Sequence, residues 1–190
     1  MRAFRALLSF SAVFAVVAAW SCEAEAYERQ WQAAFGLGYS QLYNGGGTGA
    51  AKGVLPGFGA NLGLSYGIND AFNVITHVDF SLQPGATPVF VAGGGAGIAY
   101  VLDVLQWVPW LGVTVDGYGV TALAPCVSTN DLSCSNGRLG FSGLGGIDYQ
   151  VSRSFSIGGN VRYGLLLLGN QNAVDQTLAV SLRAQYIWGY

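Results

Sequence analysis

The stretch Gly145–Tyr163, GGIDYQVSRSFSIGGNVRY, decides the fold. Ile147 and Tyr149 alternate with Gly146, Asp148 and Gln150. After Ser152-Arg153-Ser154 the alternation resumes, with Phe155, Ile157, Val161 and Tyr163 set against Ser156, Gly158, Asn160 and Arg162. A two-residue period is that of a strand, and a break of this length is a tight turn. The stretch is therefore a hairpin whose two strands each carry one apolar and one polar face. The pair extends over Leu139–Val151 and Phe155–Leu167.

The same period, followed outward, yields six more segments near the 9 to 11 residues expected of a tilted membrane strand. Toward the N-terminus lie Trp31–Gln41, with Trp31, Phe35, Leu37 and Tyr39 on one face, and Gly57–Gly67, with Phe58, Leu62, Leu64 and Tyr66 opposite Gly59, Asn61, Gly63 and Ser65. Phe72–Leu82 sets Val74, Val78 and Phe80 against Asn73, His77, Asp79 and Ser81, with Ile75 as the exception. Val89–Val101 is glycine-rich, and Pro88 blurs its start because proline lacks a ladder donor. A fifth strand begins at Trp107 or Pro109 and runs to Val120, pointing Leu111, Val113 and Val115 outward and Trp110, Thr114, Asp116 and Tyr118 inward. The eighth, Thr177–Tyr190, alternates Leu178, Val180, Leu182, Tyr186, Trp188 and Tyr190 with Ser181, Arg183 and Gln185.

Composition agrees with apolar surroundings. Hydrophobic residues make up 52% of the chain and charged residues only 9%, against about a quarter charged in soluble domains. The net charge of −2 offers no basic surface for nucleic acid. An apolar exterior in a bilayer requires a closed sheet, because an open edge would strand backbone donors and acceptors in hydrocarbon. The expectation is an all-β, eight-stranded, antiparallel up-and-down transmembrane barrel, barely wide enough to hold its own side chains.

The N-terminus reads as a cleavable signal peptide over residues 1–26, with Arg2 and Arg5, an apolar run from Ala6 to Ala19, and a small-residue site at Ala24-Glu25-Ala26. The barrel domain then occupies 27–190. Ser21-Cys22 also admits a lipoprotein-type reading, which Trp20 fits poorly. Removal of Cys22 leaves Cys126 and Cys134, an even pair in an exported chain, for which a disulfide is the natural expectation and free thiols the alternative. Short connections at Gly67–Ala71, Leu102–Gln106 and Ser152–Ser154 belong on the periplasmic side, with both termini. The long ones at Leu42–Pro56 and Thr121–Arg138 belong outside.

The hairpin quoted above and the ending Arg183-Ala-Gln-Tyr-Ile-Trp-Gly-Tyr190 resemble the small eight-stranded outer-membrane β-barrel superfamily that includes the OmpA transmembrane domain, OmpX and OmpW. The resemblance implies location in a bacterial outer membrane and contact with its lipids. It also implies a last strand read by the barrel-assembly machinery, here through Leu182, Tyr186, Trp188 and Tyr190. Some members of that superfamily deacylate lipid A, but their histidine is followed two residues later by serine, and position 79 is aspartate.

Four inward charges, Asp79, Asp116, Arg162 and Arg183, each lie seven residues from the expected strand ends at Phe72, Pro109, Phe155 and Tyr190. They are expected to share one level and compensate one another, as buried charge requires. His77 and Asp148 are further polar lumen residues. Inward glycines should leave room for large residues across the lumen, giving a plugged interior.

No catalytic residue, metal ligand or cofactor is assigned. His77 and Asp79 share a strand face, the usual state of a satisfied lumen pair. Gly47–Lys52 departs from a phosphate loop at Ala51 and Gly53, and Gly93-x-Gly95-x-Gly97 has no helix after it. Cys126 and Cys134 lack a nearby histidine. The function expected is a monomeric structural scaffold or surface-interaction protein, not an enzyme. A narrow channel for small or hydrophobic solutes is the alternative, and a lipid-modifying enzyme is third.

Overall fold

A computed structural model describes residues 29–44, 53–85, 88–102, 106–122, 135–168 and 175–189. The segment expected to be a signal peptide (1–26), Cys126 and Cys134, for which a disulfide is expected, and Tyr190 lie outside the described residues. The described residues form eight strands: β1 (Trp31–Asn44), β2 (Gly53–Gly67), β3 (Phe72–Gln83), β4 (Val89–Val101), β5 (Trp107–Ala122), β6 (Ser135–Ser152), β7 (Phe155–Leu168) and β8 (Asp175–Trp188). Each pairs antiparallel with its sequence neighbour, and β1 closes on β8, so the sheet is a closed barrel.

The register fixes the barrel's dimensions. Stepping from Trp31 to its partner Tyr66, and onward through Val74, Ile98, Val113, Gly143, Tyr163 and Leu178, returns to β1 at Gln41, ten residues along. With about 3.3 Å of rise per residue and about 4.8 Å between strands, that stagger tilts the strands by about 40° and sets the backbone about 8 Å from the axis. Side chains from opposite walls can therefore meet.

At the short-turn end the strand boundaries agree with the alternation, apart from β6, which runs one residue past Val151 to Ser152, and β8, which stops at Trp188. At the other end β4 starts at Val89 as expected and the other strands run further, most of all β2, which starts at Gly53, and β6, which starts at Ser135. Alternation fades there because the outward positions include Gly57-flanking Pro56 and Gly137 rather than a row of large apolar groups. Pro56 pairs with Gln41 of β1 but lies beyond the β2–β3 ladder, which begins at Phe58, so its missing donor costs no bond to β3. The β2–β3 turn is held by Asn69, whose Oδ1 accepts from the backbone N–H groups of Ala71 (3.0 Å) and Phe72 (2.8 Å).

The outside is an apolar belt. Phe35, Leu62, Val78, Ile98, Val113, Phe141, Val161 and Leu182 are all exposed, one on each strand. Such a surface far exceeds the few hundred Å² that soluble monomers present. Aromatic residues bound it at the turn end on every strand, including ring contacts between Trp31 and Tyr66, Phe72 and Tyr100, and Trp107 and Tyr149 at 4.8, 5.3 and 4.9 Å. A second row, Tyr39, Phe58, Phe80 and Tyr163, stands eight residues further along β1, β2, β3 and β7. That is about 26 Å along a strand, or about 20 Å along the axis at this tilt, close to the ~25 Å apolar band of outer-membrane barrels.

Candidate functional site

The lumen is layered. At the turn end Ala99, Val101, Val108, Trp110, Leu144 and Ile187 form an apolar cluster with Ile75 packed on it. At the loop end Leu42, Val91, Tyr118 and Leu166 form another. Ile75 and Ile187 point inward, against the apolar-out pattern of their strands, because this cluster needs them. Between the clusters lies the charged layer.

Arg162 of β7 donates through Nη1 and Nη2 to the two carboxylate oxygens of Asp79 on β3. In an eight-stranded barrel β3 and β7 are opposite walls, so this ion pair is a strut across the lumen. His77 Nε2 stands 3.2 Å from Asp79 Oδ2 and 3.4 Å from Asp116 Oδ1. Ser142 donates its hydroxyl to Asp116 Oδ2.

Arg183 does not join this group. It donates through Nε to Asp148 Oδ1 at 2.7 Å and through Nη2 to Asp148 Oδ2, while its guanidinium carbon lies 4.5 Å from the centre of the Trp110 ring. The single four-residue layer expected from the sequence is thus two clusters: Asp79, Arg162, His77, Asp116 and Ser142 in one, Asp148, Arg183 and Trp110 in the other. Counting Arg183 from Tyr190 misplaced it, and Asp148, read as an accessory polar residue, is its partner.

Glycine rows explain which side chains meet. Asp148, Gly158 and Arg183 occupy one row on β6, β7 and β8, so the two charged groups face each other over a residue with no side chain. A Cβ on Gly158 would collide with Asp148 Oδ1. His77, Gly95 and Asp116 repeat the arrangement on β3, β4 and β5, and a Cβ on Gly95 would collide with Asp116. Gly146 makes room for the Trp110 ring, 2.7 Å from where a Cβ would stand. Small residues therefore accommodate large ones on the adjoining strand, not on the far wall as the sequence suggested.

Smaller hydrogen-bonded groups complete the interior. Gln32 Oε1 accepts from Gln185 Nε2 at 2.8 Å and from Ser65 Oγ at 3.0 Å. Asn61 Nδ2 donates to Ser181 Oγ at 3.1 Å, and that hydroxyl donates to Asn160 Oδ1 at 2.7 Å. A cavity of about 80 Å³ lies on the turn side of the strut, bordered by Gln32, Asn73, His77 and Trp110. Another of about 60 Å³ lies on the loop side, bordered by Ser40, Asp79 and Tyr118. Asn61 and Arg162 border both, so the strut is the partition between them. Of the residues expected to carry the assembly signal, Leu182, Tyr186 and Trp188 face outward on β8.

No family model matches the sequence, and neither does any curated protein sequence. Solved structures do match in fold. Neisserial surface protein A superposes with a TM-score of 0.63 at 16% identity, covering 83% of this chain and 96% of that one. Ail, the attachment invasion locus protein of Yersinia pestis, crystallised with the heparin analogue sucrose octasulfate, matches at 0.57 and 14% identity over 85% and 99% of the two chains. OprG, an outer membrane protein of Pseudomonas aeruginosa, matches at 0.51 and 12% over 87% and 98%. The architecture is that of the small eight-stranded outer-membrane barrels.

Proposed function

We propose that the chain is an integral outer-membrane barrel that works as a closed scaffold, holding its long connections at the cell surface for interaction and its short turns and both chain ends in the periplasm. The observation that carries this reading is the Asp79–Arg162 strut between two apolar clusters, which leaves no continuous wide path through the lumen. The belt and its two aromatic rows support a bilayer as the solvent, since Trp and Tyr favour membrane interfaces. The barrel is read as a monomer whose outward Leu182, Tyr186 and Trp188 meet lipid and, during assembly, the barrel-assembly machinery. No catalytic step, nucleic acid or cofactor is assigned to it.

A polyanion such as the heparin analogue seen with Ail is not the surface partner proposed here, because this chain has a net charge of −2 and only 8 Lys and Arg in all. The second reading, a narrow channel, is favoured by the two cavities flanking the strut, which leave space for water-sized species on either side of it. Planar-bilayer recording of the refolded protein separates the two. Silence is expected; sustained single-channel openings would replace the scaffold by the channel.

A further inference from the structure

We propose that the turn-side cavity is a binding site for a small neutral amide, with Gln32 and Trp110 supplying hydrogen-bond donors and Asn73 an acceptor. The site goes beyond the scaffold reading and needs neither a conducting lumen nor a loop partner.

These three side chains border the cavity, and each carries an atom that makes no hydrogen bond among the described residues: Gln32 Nε2, Trp110 Nε1 and Asn73 Oδ1. All three residues are more than nine-tenths buried, at 5, 7 and 3% exposure. A polar atom withdrawn this far from water costs free energy unless it finds a partner, so these groups are satisfied by what the cavity takes in. The orientation of Gln32 is set, since its Oε1 accepts from Gln185 Nε2 and Ser65 Oγ, which leaves Nε2 to the cavity. The face of the Trp110 ring is covered by the Arg183 guanidinium, so its N–H edge is the free one.

The stagger around the closed barrel puts Gln32 on β1, Asn73 on β3 and Trp110 on β5 within about one residue's rise of a common level. They form the lower end of the cavity. His77, whose ring nitrogens also lack a hydrogen bond, stands four positions up β3 from Asn73.

The rest of the wall selects the guest. Its charged side chains among the described residues are Asp148, Arg162 and Arg183, and each is held in an ion pair, Arg162 by Asp79 and Arg183 by Asp148. An ion of either sign therefore gains little there. Ile75, Ala99, Val108 and Leu144 give the cavity an apolar flank, which offers a cluster of waters no partners. A carboxamide on a short alkyl chain matches both sides. Its oxygen accepts from N–H donors, its NH₂ group donates to Asn73, and its chain lies against the apolar flank. A volume of about 80 Å³ limits the guest to a few heavy atoms.

The test is a titration of the barrel, refolded in micelles with ¹⁵N-labelled tryptophan and glutamine, with propionamide. Propionate, the charged isostere, and butanone, the isostere without an N–H donor, are titrated in parallel. The expected result is a saturable shift of the Trp110 indole and Gln32 side-chain signals, with half-saturation on the order of 1 to 10 mM, while the lipid-facing Trp107 indole stays in place. Propionate and butanone should bind about tenfold more weakly or worse, and Asn73→Leu, which keeps both reporters, should weaken propionamide by about tenfold or more. No saturable shift up to about 100 mM propionamide means that the cavity takes water only and overturns the proposal. Equal response to butanone or propionate, or unchanged affinity in Asn73→Leu, overturns it as well. The selectivity of the wild-type barrel decides the matter whether or not the variant folds.

Discussion

Removing one end of the strut should cost far more than removing both. Arg162 is 5% exposed, and its guanidinium gives both its Asp79 bonds to one carboxylate. Arg162→Met leaves Asp79 with His77 beside it and no guanidinium, and Asp79→Asn leaves a buried guanidinium without the carboxylate it donates to. Stranding a buried charge in this way costs about 3 to 5 kcal/mol, which lowers the folded-to-unfolded ratio by at least about 100-fold. The double variant strands neither charge, and exchanging a buried pair for neutral groups is often near neutral. Its stability should fall within about 1 to 2 kcal/mol of wild type, giving a coupling of at least about 4 kcal/mol between the sites. Urea unfolding in lipid vesicles, followed by tryptophan fluorescence, supplies all four corners of the cycle. If either single substitution costs under about 1 kcal/mol, or the double costs the sum of the singles, the strut is not a buried, desolvated pair.

Two glycines on the barrel wall should behave in opposite ways. Gly95→Ala drives a Cβ into Asp116 and should destabilise by about 1 to 3 kcal/mol, whereas Gly143→Ala meets nothing within 4 Å and should be neutral or stabilising by about 0.5 kcal/mol; equal urea midpoints would count against the row packing. Leu182 is 78% exposed on β8, and Leu182→Arg should cost about 2 to 4 kcal/mol in bilayers if it sits near mid-membrane. An unaltered unfolding curve would place that face away from lipid. In single-tryptophan variants, brominated lipid should quench Trp107, which is exposed on the belt, and spare Trp110, which is buried three residues later; matched quenching of the two would contradict the inward assignment.

The strands were legible because the two faces meet different media. Phe141, Ile147 and Tyr149 outside Ser142, Asp148 and Gln150 leave no other register in which β6 can sit. The turn ends were legible for the same reason, and the loop ends less so, since outward Pro56 and Gly137 carry no apolar signal. Charge pairing was only half readable. That Asp79, Asp116, Arg162, Arg183 and Asp148 point inward follows from parity, but their partners follow from the stagger between strands, which local sequence does not encode. Arg183 meets Asp148 because Gly158 stands between them, and recognising that gap requires the β6–β7–β8 register. Ile75 and Ile187 broke the alternation for a reason visible only once Trp110 and Leu144 are seen beside them.

The strut also has a place in time. Asp79 and Arg162 are 83 positions apart in the chain and stand on opposite walls, so no hairpin or partial sheet brings them together; they meet only when the sheet has curled far enough to face itself. An interaction made that late contributes nothing to the barrier climbed on the way in and must be broken on the way out. Its loss should therefore leave the rate of barrel formation nearly unchanged and speed dissolution, which makes this pair a latch that sets how long the finished barrel lasts.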